Sequence, residues 1–178
     1  MDPVADLTAR AALVLLFLVA AAHKLRDRGR FRATLADYRL LPAALVPAAG
    51  VFFPAIEAAL AATLVVPALR APGLAGAAAL LAVYSLGIAI NLARGRRDLD
   101  CGCAGPAARR PISGWLVARN VTLAAAALAL LAPVRARTLV WVDGLTVLGG
   151  TTALAALHAA FDGLLVQVPV MARLRGDA

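Results

Sequence analysis

Residues 71–93 read APGLAGAAALLAVYSLGIAINLA and contain no Asp, Glu, Lys or Arg. A bilayer core about 30 Å thick requires roughly 20 mostly apolar residues in a helix. The stretch is therefore long enough to cross a membrane as a single helix. A helical membrane protein is therefore the fold class that we test against the rest of the chain.

The composition of the whole chain also indicates a membrane protein. Of its 178 residues, 62% are hydrophobic and 16% are charged, whereas soluble domains have about 45–50% and about 25%. The mean hydropathy is +0.84 and the formal net charge is +8. Long apolar tracts separate the basic residues and no aromatic-rich nucleic-acid motif accompanies them, so we predict membrane lipid as the surroundings and no nucleic-acid partner.

Similar apolar tracts occur elsewhere in the chain. We predict an all-α, polytopic membrane helical bundle with four to five transmembrane helices, forming one domain over residues 1–178. Phe31, Leu35 and Tyr38 share one helical face, which predicts a short interfacial helix after the first span, the alternative being a basic loop. The predicted spans are about 7–25, 43–69, 71–93, 113–132 and 145–170.

Lysine and arginine are divided unevenly between alternate loops, thirteen against four. Basic residues close to span ends are retained on the cytoplasmic side. We therefore predict an external N-terminus, a cytoplasmic C-terminus and a cytoplasmic cysteine loop over residues 94–112. The larger set is Lys24, Arg26, Arg28, Arg30, Arg32, Arg39, Arg94, Arg96, Arg97, Arg109, Arg110, Arg173 and Arg175; the smaller set is Arg10, Arg70, Arg135 and Arg137.

The two cysteines of the chain, Cys101 and Cys103, both lie in this loop. Their spacing leaves three interpretations: a local redox pair, which we favour, a partial metal site, or coincidence. Gly102 permits unusual backbone angles, so the thiols could close a small strained ring, and strained disulfides exchange readily. Structural zinc usually needs four Cys or His ligands, and no nearby histidine completes a set, so we predict no metal. Five arginines could stabilise a thiolate, although they serve equally well as topology determinants: Arg94, Arg96, Arg97, Arg109 and Arg110.

Arg119 lies six residues after Ser113, about 9 Å into the fourth span. A charge at that depth should face the bundle or a polar cavity. Arg119 is a candidate to hold an anionic thiolate, a quinone oxygen or a carboxylate, with Asn120 as a polar neighbour. The alternative is that the guanidinium extends to the lipid headgroups beside Trp115.

Other polar residues also lie within predicted spans. Glu57 is near the middle of the second span and should be protonated or paired, with Lys24 and Arg119 as candidate partners. His158 and Asp162 are four residues apart and share a helix face, which suits a proton path or, as we favour, a mutually satisfied polar pair. No Ser-His-Asp arrangement, P-loop or dinucleotide fingerprint is present, so hydrolase and nucleotide-driven functions have no support.

Several of these elements occur together in a known family. The most specific combination is Asp100-Cys101-Gly102-Cys103 followed by Ser113-Gly114-Trp115-Leu116-Val117-Ala118-Arg119-Asn120, and three shorter elements accompany it: Ala22-His23-Lys24-Leu25, Tyr38-Arg39-Leu40-Leu41-Pro42 and Glu57. Over most of its length the sequence resembles the methylamine utilisation protein MauE family, which is related to DoxX-like redox-associated membrane proteins. Ala104 stands where members of that family commonly have Phe.

The resemblance implies a multi-pass bacterial inner-membrane protein linked to maturation of the methylamine dehydrogenase β-subunit, with a thioredoxin-like redox partner. The disulfides of that client form in the periplasm, whereas the charge count places the cysteine loop in the cytoplasm. Either the pair relays electrons from the cytoplasmic side, or the loop dips into the bundle, or the topology differs from the prediction.

The leading hypothesis is thiol–disulfide exchange through Cys101 and Cys103, with Arg119 tuning the site and with Glu57 and Lys24 in support. Such a protein would be a thiol–disulfide oxidoreductase, and a quinone is its candidate cofactor. The second hypothesis is a non-enzymatic transporter or assembly chaperone that uses a polar path through the membrane, formed by Glu57, His158 and Asp162. A third hypothesis is a purely structural membrane subunit.

Overall fold

A computed structural model describes residues 1–101 and 111–174 of the chain, and of residues 165–174 it describes the backbone alone. Within those ranges the chain is helical, apart from connecting segments and one isolated antiparallel bridge between Asp100 and Pro111. The architecture confirms the predicted all-α polytopic bundle. The α-helices are α1 (Pro3–Arg26), α2 (Arg28–Tyr38), α3 (Val46–Val65), α4 (Arg70–Ala93), α5 (Gly114–Ala129) and α6 (Trp141–Leu174), and short 3-10 helices, Ala43–Leu45 and Pro67–Leu69, lead directly into α3 and α4.

Four helical segments in the described ranges are long and apolar enough to cross a membrane: Pro3–Arg26, Ala43–Val65, Pro67–Ala93 and Trp141–Leu164. The fifth apolar helix, α5, has 16 residues, which corresponds to about 24 Å. Its length is limited because Pro111 precedes it and Pro133 follows it, and proline does not continue a helix. The short helix α2 follows the first span, as the sequence predicts.

Local sequence signals explain where α1 begins and where α4 ends. The Asp2 carboxylate accepts a hydrogen bond from the Val4 amide at 2.8 Å, and Pro3 occupies the first helical position. The same bond holds the pKa of the Asp2 carboxyl below its usual range, because the amide stabilises the ionised form. After α4, Gly95 adopts a φ of 74°, a left-handed conformation that glycine takes without steric cost.

The bundle is held together mainly by leucine and alanine side chains. Helix α1 packs against α3 and α6, and α4 packs against α3 and α5. A close approach joins α1 and α6, because a Cβ atom at Gly150 would lie 2.9 Å from Cγ2 of Thr8. Glycine at this position therefore allows α6 to lie directly against α1.

The antiparallel helices bring the chain connections to two opposite ends. The first, which we call the Asp6 end, joins Asp6 of α1, Arg70 of α4 and Leu130 at the end of α5. The second, the cysteine-loop end, joins Arg30 of α2 to Asp100 in the connection between α4 and α5, with 2.6 Å between the guanidinium Nη2 and the carboxylate Oδ2. The cysteine loop and the basic helix α2 thus lie at the same end.

A buried charge cluster links four helices at the Asp6 end. The Asp6 carboxylate is almost completely buried and accepts from Arg10 Nε and Arg70 Nε, each at 2.9 Å. Arg10 also donates to the carbonyl oxygen of Leu64 at 2.8 Å, and Arg70 donates to that of Leu130. Each guanidinium therefore has a second partner besides Asp6.

We expect the Asp6→Asn substitution to lower the free energy of unfolding by about 2 kcal/mol. The amide keeps one acceptor oxygen but loses the charge, while the carbonyl partners of Arg10 and Arg70 limit the cost. Unfolding in detergent, followed by far-ultraviolet circular dichroism during titration with dodecyl sulfate, measures the change. Asp37→Asn, at an exposed position of α2, is the matched control, and equal stability of the two variants would contradict the prediction.

Candidate functional site

A buried ion pair joins α1 to α3 inside the bundle. Nζ of Lys24 donates to Oε1 of Glu57, and the two side chains are 2% and 0% exposed. The hydroxyl of Tyr84 in α4 donates to the same carboxylate oxygen at 2.8 Å. Of the two partners predicted for Glu57, Lys24 is therefore the one that binds it.

Aromatic rings complete the surroundings of the Lys24 ammonium. Its Nζ lies 5.4 Å from the ring centre of Phe31 in α2 and 5.2 Å from that of Tyr84. Ring faces at these distances attract a cation, and the attraction grows when water is excluded. The charge of Lys24 is thus balanced by one carboxylate and two rings.

Two buried polar atoms beside this pair have no hydrogen-bond partner among the described residues. They are Oε2 of Glu57 and Nδ1 of His23. Buried polar atoms in proteins are nearly always satisfied, and exceptions commonly mark a place for water, an ion or a ligand. Both residues line the same cavity.

A second charge pair joins α5 to α6. Nη1 of Arg119 lies 2.5 Å from Oδ1 of Asp162, and both side chains are largely buried. Arg119 also donates to Oδ1 of Asn120, at 3.3 Å from Nε and 3.1 Å from Nη2. His158 is close enough for an ion pair with Asp162, its Nε2 lying 3.7 Å from Oδ2. Arg119 is therefore not the partner of Glu57, because α6 supplies it with another carboxylate.

These polar groups line one side of a cavity of about 550 Å³. Helices α1, α5 and α6 supply most of its wall, together with one residue of α3 and two of α4. The rest of the lining is leucine, alanine, valine and phenylalanine. The polar lining residues are His23, Glu57, Tyr84, Arg119, Asn120, His158 and Asp162.

Cys101 lies half-buried at the cysteine-loop end. It packs against a small apolar cluster formed by Ile88, Ile112 and Leu116. The neighbouring residue Asp100 forms the ion pair with Arg30 described above. Cys103, Arg109 and Arg110 lie outside the described residues.

Two helices show how close Cys101 is to the cavity. On α4, Ile88 belongs to the apolar cluster against which Cys101 packs, and Tyr84, one turn away, lines the cavity. On α5, Leu116 belongs to the same cluster, and Asn120, again one turn away, lines the cavity. The four residues that separate each pair correspond to about 6 Å along a helix axis. The polar side of the cavity therefore faces the cysteine-loop end.

Two of the five loop arginines that were expected to supply positive potential, Arg94 and Arg96, donate hydrogen bonds to other groups. Arg96 donates to Oδ1 of Asn91 at 3.0 Å and to the carbonyl oxygen of Tyr38 at 3.4 Å, and Arg94 donates to that of Arg39 at 3.5 Å.

In the part of the chain that the structure describes, no three His, Cys, Asp or Glu side chains form a group that could hold a metal ion.

Comparison with known proteins places this site in a family. The family model described as methylamine utilisation protein MauE matches residues 2–133, which include α1 to α5, both cysteines and Arg119. The chain belongs to the MauE family. Asp162 and His158 lie beyond the matched region, so the two polar lining residues that α6 supplies come from outside it.

Individual relatives are similar over most of this MauE-family chain. "Methylamine utilization protein MauE" of Paracoccus denitrificans is 42% identical over 121 residues, which cover 68% of this chain and 65% of that protein. Proteins with the same description from Methylophilus methylotrophus and Methylorubrum extorquens are 36% and 41% identical, covering 87% and 72% of this chain and 80% and 69% of theirs. No solved structure matches the chain.

Three residues of the site were missed by the sequence reasoning. Tyr84 lies in the charge-free stretch 71–93, where a phenolic hydroxyl was the available signal that the helix faces a polar partner. His23 was noted only as part of a motif, and Arg30 was counted only for topology. The sequence does not identify the hydrogen-bond partner of Tyr84 or the ion-pair partner of Arg30, because those partners lie far away in the chain.

Proposed function

We propose that this MauE-family protein acts in methylamine utilisation as a thiol–disulfide redox protein of the bacterial inner membrane. Cys101 and Cys103 exchange electrons with a thioredoxin-like protein and a client, and so support maturation of the client, such as the methylamine dehydrogenase β-subunit. The names of the relatives support the metabolic context. The observation that carries the redox role is the position of Cys101, half-buried against an apolar cluster whose members on α4 and α5 lie one turn from residues that line the polar side of the cavity.

The surroundings of Cys101 suit an exchange reaction. The reacting species is the thiolate, which positive charge stabilises. The Arg30–Asp100 ion pair next to Cys101 adds no net charge, but α5 begins at Gly114 with the positive end of its dipole on the same side. In the exchange, a thiolate attacks a disulfide, a mixed disulfide forms, and the second thiol of the pair resolves it, so that two electrons and two protons pass.

The side of the membrane on which this happens is part of the proposal. The cysteine loop lies at the end where α2 carries several arginines, and this end is cytoplasmic by the positive-inside rule, with the N-terminus outside. The pair would then relay electrons across the bundle to reach a client whose disulfides form in the periplasm. An inverted orientation would bring the thiols to the client directly.

A second candidate function is a transporter or assembly chaperone without redox chemistry. The unpartnered Glu57 oxygen in the cavity and the neighbouring pair of His158 and Asp162 favour it, because they supply a polar path through apolar surroundings. Glu57 would then matter more than the cysteines. The two functions differ in the residues on which they depend.

Thiol trapping in living cells tests the redox role and the topology together. We expect Cys101 and Cys103 to interconvert between dithiol and disulfide, and the disulfide fraction to change when a thioredoxin-like partner is deleted. Alkylation with a membrane-impermeant maleimide, before and after permeabilisation, reports both the redox state and the side. The Cys103→Ser variant, which retains one thiol, is the control for complete labelling. Cysteines that stay reduced in every strain would contradict the proposal.

A further inference from the structure

We propose that the cavity between α1, α5 and α6 binds a membrane quinone, with the ring at the polar side and the apolar tail along α1. The binding stands on the geometry of the cavity alone. Its assignment as the electron acceptor of the cysteine pair rests on the proposed function.

The shape of the cavity fits a chain-like apolar molecule. Along α1 it extends from Ala9 to His23, which corresponds to about 21 Å. Leu15 and Val19, on the same stretch, line the cavity and are 42% and 53% exposed, so the cavity is open toward the membrane side of the bundle. A molecule dissolved in the bilayer can therefore enter without crossing water. Volumes of a few hundred Å³ with mainly apolar walls are typical of sites for small molecules.

The charges at the polar side favour an uncharged headgroup. The Lys24 ammonium is neutralised by Glu57, and the Arg119 guanidinium is neutralised by Asp162. A phospholipid would bring a phosphate to a place where each cation is already neutralised by a carboxylate, so its charge would stay uncompensated. A quinone brings a ring with two carbonyl oxygens and no charge, so it avoids this cost.

The hydrogen-bonding atoms match both redox forms of such a ring. Of the five N–H groups of Arg119, the contacts with Asp162 and Asn120 use three, so within the described residues two remain for a carbonyl oxygen. Nδ1 of His23 is a further group that is buried and lacks a partner in the described part of the protein. Oε2 of Glu57, unpartnered and fully buried, can accept from the hydroxyl of a quinol.

The redox step that this arrangement supports is balanced. The thiols of Cys101 and Cys103 lose two electrons and two protons as the S–S bond forms. The quinone gains both electrons, and its two carbonyl oxygens take up the two protons to give a quinol. Electrons from a client's thiols, received by exchange at the cysteine pair, would thereby leave the protein into the membrane pool.

A photoreactive short-chain quinone tests the site in the full-length protein reconstituted in phosphatidylcholine nanodiscs. We expect labelled peptides from α1, α5 and α6, and competition by decylubiquinone but not by added phosphatidylcholine. Ala126→Phe, which fills the cavity, should reduce labelling about tenfold, as overpacking of a close-fitting site does. Ala125→Phe, at an exposed position of α5 outside the lining, should leave it unchanged.

A second matched pair of variants keeps the test decisive if Ala126→Phe does not fold. Ala155→Phe fills the cavity from α6, and Ala156→Phe is its exposed control outside the lining. Equal labelling of filled and control variants, or displacement of the probe by lipid, overturns the proposal. The Cys101→Ser/Cys103→Ser variant should bind the probe as the unmodified protein does, because binding does not need the thiols. Labelling in a protein whose cysteines prove redox-inactive would refute the proposed function and leave the quinone site standing.

Discussion

Replacing Lys24 with Met is expected to lower the free energy of unfolding by about 3–5 kcal/mol, because the substitution leaves the Glu57 carboxylate buried without a counter-charge. Methionine has a similar length and keeps the packing against Phe31 and Tyr84, so the loss reports the charge. Glu57 is fully buried and its Oε2 atom already lacks a partner among the described residues. Among the described residues, only the Tyr84 hydroxyl would remain to hold the carboxylate.

Two controls separate the charge effect from other causes. Arg26→Met removes a basic side chain at an exposed position two residues later in α1, and its effect should stay within about 0.5 kcal/mol. The double variant Lys24→Met/Glu57→Gln should regain part of the lost stability, because the amide oxygen can still accept from Tyr84 and no bare charge remains. Titration with dodecyl sulfate, read by circular dichroism, measures all three. A Lys24→Met protein as stable as the unmodified one would show that the pair contributes nothing.

The Cys101→Ser/Cys103→Ser double variant is expected to reduce disulfide formation in the client to the level of a strain that lacks the protein. Serine is close to cysteine in size and shape but cannot form the S–S bond on which exchange depends. Cys101 packs at the edge of a small apolar cluster, so its replacement should leave the bundle intact. The fraction of oxidised methylamine dehydrogenase β-subunit, measured by thiol alkylation and gel mobility, gives the result.

The alternative function predicts a different ranking of variants. Glu57→Gln removes the carboxylate from the polar path and keeps an acceptor for Tyr84, so it should abolish a transport or chaperone role while the cysteines remain dispensable. Both variants must be compared at equal amounts of protein in the membrane, because Glu57→Gln also leaves Lys24 unpaired. Full client maturation in the double cysteine variant would refute the redox role. If neither variant has an effect, the protein is a structural subunit.

The membrane fold could be predicted from local sequence because each span is long, apolar and bounded by charges or prolines. The stretch 71–93 is the clearest case, and α4 ends where that stretch ends, at Ala93. Helix α5 was expected over 113–132 and covers Gly114–Ala129, because hydropathy fixes the tract and not its last turn. The short helix α2 was predicted from the shared face of Phe31, Leu35 and Tyr38.

Pairing between helices was much less predictable. Glu57 had two candidate partners in the sequence, Lys24 and Arg119, and hydropathy gives no basis for choosing between them. The choice depends on which helices are neighbours: α1 packs against α3, and α6 brings Asp162 to Arg119. Tyr84 entered the site for the same reason, since α4 lies against α3.

By itself the sequence determined that this is a helical membrane protein, where its spans lie, which polar residues are out of place in them, and that two cysteines share one loop. Those properties are local: a helix must satisfy its own backbone in lipid, and apolar length decides whether it crosses. The tertiary structure alone decided that Lys24 pairs with Glu57, that Arg119 pairs with Asp162, and that a cavity lies beside the cysteine-loop end. A buried charge is neutralised by whatever side chain the packing of other helices brings within a few ångströms, and residues far apart in the chain supply it.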